Sequence, residues 1–452
     1  MLWIFVAGLA WVPFWYGSND WLAWGVNAVI FPGLAALYEL SLLVRGKRHP
    51  VAIGNLAFPA ALFTGVVLWI GVQCLTWPHS PLANSIWSMA GSALGHPIAA
   101  SITVNRDLTV VALIRLITAA SVFWLALQLC RNSKRANLLF GAIGAIGAGY
   151  AAYGIVAVRF GQLPWLHYID PKTHNLSSTF IDPDSFATYA AIGLTVLAGL
   201  ILRFYGDAMS AAAGNWRLQI AFFIERTGSR GAALLAGGFL VLAALLFTGS
   251  RGGLMAAALG LFVLGALARR RRGQAKVPFL LLFIGFVLVA SMLFAFGNAI
   301  GVKLEAGGVY DANRFSVYLL TLRSILNKPL LGYGYGTFID VFPMYRDQSL
   351  GVTGIWAQAH DTYLEIFQGL GLVFGTMLIA CVGILVMRCL KGAMRRQKGI
   401  IAPSIAASAA FVVAAHALVD FSLQIQAVAI TLMAVLGAGL AQSESSRLAL
   451  DD

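Results

Sequence analysis

Long apolar runs separated by short basic loops constrain this chain more than any other feature of it. The runs lie at about 1–17, 21–44, 50–77, 109–130, 136–158, 183–204, 231–249, 253–268, 277–298, 361–387, 400–418 and 421–441. A helix rises about 1.5 Å per residue, so roughly 20 apolar residues cross a hydrocarbon core about 30 Å thick. The pattern predicts an all-α polytopic membrane protein with about 12 transmembrane helices, a single integral membrane domain over residues 1–452. Composition agrees: 59% of residues are hydrophobic, 11% are charged and the mean hydropathy is +0.80, values of a membrane chain rather than a globular one. The opening "MLWIFVAGLAWVPFWYG" has no positive n-region and no clear small-residue cleavage site, so it reads as a retained span rather than a signal peptide. Cys74, Cys130, Cys381 and Cys389 fall in or at the ends of spans and read as packing residues, not a disulfide framework.

The formal charge of +13 raises the question of a nucleic-acid partner, and the position of the charges answers it. The loops 45–49, 131–135, 203–230, 269–276 and 388–399 carry 3, 3, 4, 5 and 5 Lys/Arg, and all five fall on one side if the spans alternate. With Arg447 that side holds 21 basic residues, the other nine, and Arg115 is left inside a span. By the positive-inside rule the rich side is cytoplasmic, with both termini inside. The basicity is therefore topological, the implied partners are membrane lipids, and nucleic acid is not one of them.

The opposite side has three segments long enough to build structure: 79–108, 159–182 and 299–360. The last is a large outer-side loop between spans 9 and 10. It contains "NRFSVYLLTLRSIL", an amphipathic helix with Phe315, Leu319, Leu322 and Leu326 at helical spacing and Arg314, Tyr318 and Thr321 on another face. Asp311 or Asn313 is its expected cap and Pro329 its expected stop. Lying along the membrane surface, it would present Arg314 to the outer leaflet.

Candidate chemistry collects at that outer level. His360 stands where "AQAHDTYLEIFQGLGLVFG" enters the bilayer, and a neutral imidazole there can take a proton from a hydroxyl. Asp361 reads either as the helix cap or as a neighbour that tunes His360. Arg251, in "TGSRGG", sits at a tight turn close to the hydrocarbon boundary, where a guanidinium needs an anionic partner; Gly249, Gly252 and Gly253 let the backbone turn sharply. Two arginines suit a phosphate or diphosphate, and together with His360 they point to group transfer from a phosphate-linked lipid to a hydroxyl.

Weaker signals flank these residues. Arg159 and His167 share one outer loop, and Arg159 is a further candidate phosphate contact. Asp182 and Asp184 form either a carboxylate pair for a metal or a helix cap around Pro183, and capping is preferred because no further carboxylates cluster there. Asp420 sits at the last outer turn, where it orients His360 or pairs with an arginine. His416 reads as a packing residue. Arg115 snorkels or pairs within the bundle, and "GYGYG" at 332–336 reads as a turn.

"TGSRGG", "NRFSVYLLTLRSILNKPLLGYGYGTF" and "HDTYLEIFQGLGLVFG", in this order over residues 245–380, resemble the O-antigen ligase and polymerase superfamily of bacterial membrane glycosyltransferases. The ligase branch implies a C-type glycosyltransferase (GT-C) architecture in the bacterial inner membrane. It implies a metal-independent, inverting enzyme without cofactor that transfers O-antigen polysaccharide from undecaprenyl diphosphate to a sugar hydroxyl of the lipid A core on the periplasmic face. Carried over by motif, Arg251 and Arg314 bind the diphosphate and His360 is the general base. Arg159, Tyr318, Asp361 and Asp420 are the candidate substrate-binding residues; Asp361 stands where the family more often has Asn or Ser, and Asp420 matches an acidic position more loosely. The alternatives are an O-antigen polymerase, a protein O-oligosaccharyltransferase and, from another class, a lipid-linked glycan transporter with Arg115, Arg251 and Arg314 along its path.

Overall fold

A computed structural model describes residues 1–76, 81–161, 175–211, 216–269, 312–351, 354–396 and 399–443. The described residues contain helices and no β-strand: α1 (Leu2–Trp11), α2 (Trp21–Val44), α3 (Ala57–Cys74), α4 (Ser85–Leu94), α5 (Arg106–Leu129), α6 (Ser133–Phe160), α7 (Pro183–Ala211), α8 (Trp216–Phe247), α9 (Arg251–Arg269), α10 (Ala312–Asn327), α11 (Phe338–Val341), α12 (Thr362–Arg395), α13 (Ile401–His416) and α14 (Gln426–Ala441). Among them, eight helices are long and apolar enough to cross a membrane, and α1, α13 and α14 are shorter apolar helices. The expected span 277–298 lies outside the described residues, as do His167 and Asp311.

Large apolar side chains point outward along the bundle, among them Leu43 at 79%, Val29 at 75% and Phe239 at 71% exposure, which is stable only where the surrounding solvent is itself hydrocarbon. The interior is formed by α7, α13 and α14. At 16 residues, α13 and α14 reach only about 24 Å and are buried on nearly every side. Their small residues set the spacing: a Cβ on Gly439 would lie 2.1 Å from the Ala406 Cβ, and one on Gly437 2.4 Å from the Phe123 carbonyl. Helices with such faces approach closely enough for dispersion to hold them, the main force left between helices in lipid.

The basic loops after α2, α5 and α12 gather at one end. Val51 exchanges hydrogen bonds with the Gln128 amide at 3.0 Å, Arg131 donates to the Ala441 carbonyl at 3.0 Å, and the Arg396 guanidinium donates to the Gln442 carbonyl. At the other end Ala427 N–H bonds Gly17, Leu176 N–H bonds Phe247, and Thr362 N–H bonds Ala417.

Two expectations need correction here. The stretch 203–230, read as a loop, is mostly helix. Helix α7 runs on to Ala211 and α8 begins at Trp216, bending at Gly228, whose φ of +37° and ψ of −167° only glycine adopts easily. And α10 has the expected extent and stops before Pro329, but Asn313 lies inside it rather than capping it. Its Phe315, Leu319, Leu322 and Leu326 are exposed, while Val317, Leu320, Thr321 and Ser324 are buried against the bundle.

"GYGYG" proves to be more than a turn. Gly332, Gly334 and Gly336 all have positive φ, and the strap they form docks into a break in α12 at Gly371 (φ +75°, ψ 171°). Tyr333 N–H bonds the Gln368 carbonyl (3.0 Å), Gly334 N–H the Gly369 carbonyl (3.1 Å), and Leu372 N–H the Pro329 carbonyl (2.7 Å). The Gln73 side chain completes the junction, donating to the Leu331 and Gly369 carbonyls and accepting from Tyr335 N–H. Non-helical backbone at this depth is tolerated because its polar groups are satisfied by protein.

Candidate active site

The N-termini of α7, α9, α10 and α12 and the α13–α14 turn come together at the end of the bundle opposite the basic loops. Gly252, the second residue of α9, lies against His416 of α13; a Cβ there would sit 2.8 Å from the His416 Nε2 and 3.3 Å from Val419. Gly253 similarly faces Ala187 of α7 at 2.6 Å. The glycines of "TGSRGG" therefore serve close helix approach, and Gly249 also makes the turn with a φ of +66°. Arg251 is the first residue of α9, and among the described residues no acceptor meets its guanidinium.

Arg314 does not point to the outer leaflet as expected. It turns inward, donating to the Val419 carbonyl at 3.2 Å and facing Asp184 at 3.7 Å, because these acceptors lie beside the first turn of α10. The amphipathic pattern gives the helix but not the direction of a flexible arginine. Asp184 is thus an ion-pair partner and Asp182 a cap, its Oδ1 accepting from Ser185 N–H at 2.8 Å. Among the described residues no group of three or more His, Cys, Asp or Glu could hold a metal ion.

His360 precedes α12 with a φ of +56°, a left-handed conformation costing a non-glycine residue about 1–2 kcal/mol. The Tyr318 hydroxyl donates to its carbonyl at 3.0 Å. The ring stands edge-on to Phe421 with centroids 4.9 Å apart, and its Nδ1 lies 3.7 Å from the buried Asp420 Oδ1, a charge-pair distance longer than a hydrogen bond. Asp420 accepts from the Ser422 hydroxyl. Burial pushes its carboxyl up, but the nearby His360 and His416 rings and the Ser422 hydroxyl more than offset this and hold it below the usual carboxylate range. Asp420 therefore stays ionised behind His360. Asp361 is the α12 cap, its Oδ1 accepting from Leu364 N–H at 3.0 Å, and burial raises its pKa.

Of the other expected residues, Arg159 is exposed at the end of α6 beside the Phe160 ring, and among the described residues nothing joins it to this cluster. His416 is a buried packing residue, its Nδ1 shared between the Thr188 and Ser422 hydroxyls. Arg115 pairs inside the bundle, donating to the Gln424 carbonyl with its guanidinium 4.3 Å over the Trp24 ring. All four cysteines are free. Sequence reasoning passed over Thr188, Ser422 and Gln424, because a hydroxyl or amide at the edge of an apolar run has no periodic signature.

Asp182 carries a pH signal. Burial, with the Asp420 charge next in weight, raises its pKa from 3.8 to about 7, and among the described residues its Oδ2 has no partner. The folded state then holds a proton that the unfolded chain has lost, so this group's contribution to stability falls as pH rises from about 4 to about 7. Asp182→Asn keeps the capping oxygen and removes the charge. It is expected to raise the thermal midpoint at pH 8, with the gain vanishing near pH 4, in melts of detergent-purified protein. An equal or lower midpoint at pH 8 would refute the unpaired charge.

The site can bind an anion and accept a proton: the Arg314 guanidinium and four positive helix N-termini, one of them headed by Arg251, gather around the α13–α14 turn, whose Asp420 stands behind the His360 imidazole. No curated protein matches the chain. Residues 236–380, which include Arg251, Arg314 and His360, match the O-antigen ligase family, to which that segment of the chain is similar.

Proposed function

We propose that the chain is an O-antigen ligase: an inverting, metal-independent glycosyltransferase of GT-C architecture that moves O-antigen polysaccharide from undecaprenyl diphosphate to a sugar hydroxyl of the lipid A core. One observation carries this reading. A histidine backed by a buried carboxylate shares the α13–α14 turn with Arg314, at the end of the bundle where four helix N-termini meet. His360 takes the proton of the acceptor hydroxyl, whose oxygen attacks the anomeric carbon from the face opposite the diphosphate. The carbon–oxygen bond to the diphosphate breaks, and the leaving charge is neutralised by Arg251 and Arg314. The positive-inside rule sets the basic loops in the cytoplasm of a bacterial inner-membrane protein, so both termini are cytoplasmic and the site is periplasmic. Asp184 holds Arg314 until the diphosphate replaces it.

A deletion strain tests the assignment. It should accumulate free lipid A core together with long polymer on undecaprenyl diphosphate; core bearing a single repeat would instead identify a polymerase, and lipid-linked intermediate trapped on the cytoplasmic face a transporter. In purified protein, Arg251→Ala and Arg314→Ala should each lower kcat/KM for the donor about 10- to 100-fold, the scale of one hydrogen bond to a charged group. Transfer should be undiminished in chelator, and loss of activity there would restore the metal alternative at Asp182 and Asp184.

A further inference from the structure

Behind the His360 turn runs a polar chain to which the proposed chemistry gives no task. The Glu365 Oε1 accepts from Ala359 N–H at 2.6 Å. Thr362 donates to the Gln424 Oε1 at 2.9 Å and to the Asp420 carbonyl at 3.3 Å. The Gln424 carbonyl accepts from Arg115, which stacks on Trp24 and lies within Coulombic reach of Glu365. A carboxyl and a guanidinium set inside apolar helices are costly there unless they organise something. What they hold is the pair of turns, 358–361 and 417–424, that deliver His360 and Asp420.

We infer that Glu365 and Arg115 are positioning residues for the His360–Asp420 pair. This inference rests on the reading of His360 as general base. A left-handed histidine persists only when its surroundings over-determine it. Glu365 fixes the residue before it through the Ala359 N–H, and Tyr318 fixes its own carbonyl from the opposite side. Arg115 fixes the neighbouring turn at Gln424. Nδ1 then faces Asp420, leaving Nε2 for the acceptor hydroxyl, and the two turns keep their spacing while substrate moves past them.

The test uses the full-length protein in detergent, with Glu365→Ala, Glu365→Gln, Glu365→Asp, Arg115→Met and His360→Asn. Expected for Glu365→Ala is a fall in kcat of about 10²-fold, the scale of a displaced catalytic group, with the donor KM and the affinity for undecaprenyl diphosphate itself unchanged. Glu365→Gln keeps an oxygen for the Ala359 N–H and should recover most of the rate. Glu365→Asp keeps the carboxyl but withdraws the oxygen, so it should resemble Ala and reads the same contact if the Ala protein is not recovered. Arg115→Met should likewise lower kcat and spare diphosphate affinity. Diethyl pyrocarbonate labelling of His360, followed by mass spectrometry, should change in Glu365→Ala without any turnover. Wild-type kcat and labelling in Glu365→Ala and Glu365→Asp would overturn the inference, as would a loss shared equally by rate, diphosphate affinity and thermal midpoint. An active His360→Asn protein would instead overturn the general-base reading, whatever the Glu365 variants do.

Discussion

Replacing His360 by Asn should abolish most transfer while leaving a folded, donor-binding protein. The expected loss in kcat is about 10²- to 10⁴-fold, the contribution of one general base. Asn is the informative substitution because position 360 has a φ of +56°, and Asn tolerates the left-handed region that Ala resists. His360→Ala should lose the same activity and also melt earlier, since a strained backbone adds about 1–2 kcal/mol to the cost. Thermal melts and binding of undecaprenyl diphosphate, measured on both variants, separate the two effects. Undiminished transfer by either protein would remove His360 from the chemistry.

The largest structural effect is expected at the crossing of the glycine strap and the broken helix α12. A Cβ on Gly371 would lie 2.4 Å from the Leu330 carbonyl oxygen, and one on Gly332 2.3 Å from that of Gly369; both positions have positive φ. Backbone carbonyls cannot rotate away as side chains can. Strain of about 1–2 kcal/mol and overpacking of about 1–3 kcal/mol then act together against a total stability of about 5–15 kcal/mol. Gly371→Ala and Gly332→Ala should therefore be depleted from the membrane and melt well below wild type, as read by fluorescence-detected size-exclusion chromatography of tagged protein. Gly383→Ala, further along α12 with open space around its Cα, is the control and should be neutral. A Gly371→Ala protein of normal abundance and midpoint would mean that the strap is not required.

Much of the architecture was legible from apolar periodicity, because lipid forces each crossing segment to satisfy its own backbone and so to write its length into the sequence. What periodicity left undrawn were α4, inside an outer segment read only as long enough to build structure, and the first part of α8 from Trp216, inside a stretch read as a loop. The candidate site was legible in part. His360, Arg251 and Arg314 stood out because a titratable or cationic group at the mouth of an apolar run is rare and expensive. Glu365 and Arg115 bore the same mark, but 250 residues separate them, and nothing local says that they share a turn.

The sequence by itself determined that this is a helical membrane protein, which end of it is basic, and that His360, Arg251 and Arg314 share the opposite level. Those properties follow from hydrophobic length and charge placement, which act residue by residue. Only the tertiary structure decided that Arg314 turns inward to Val419 and Asp184, that Asp361 is a cap while Asp420 stands behind His360, and that Arg159 stays apart. Those are choices of direction and partner. They are set by which helix ends meet when small residues let α7, α9, α13 and α14 pack closely, and a single strand of sequence carries no record of that meeting.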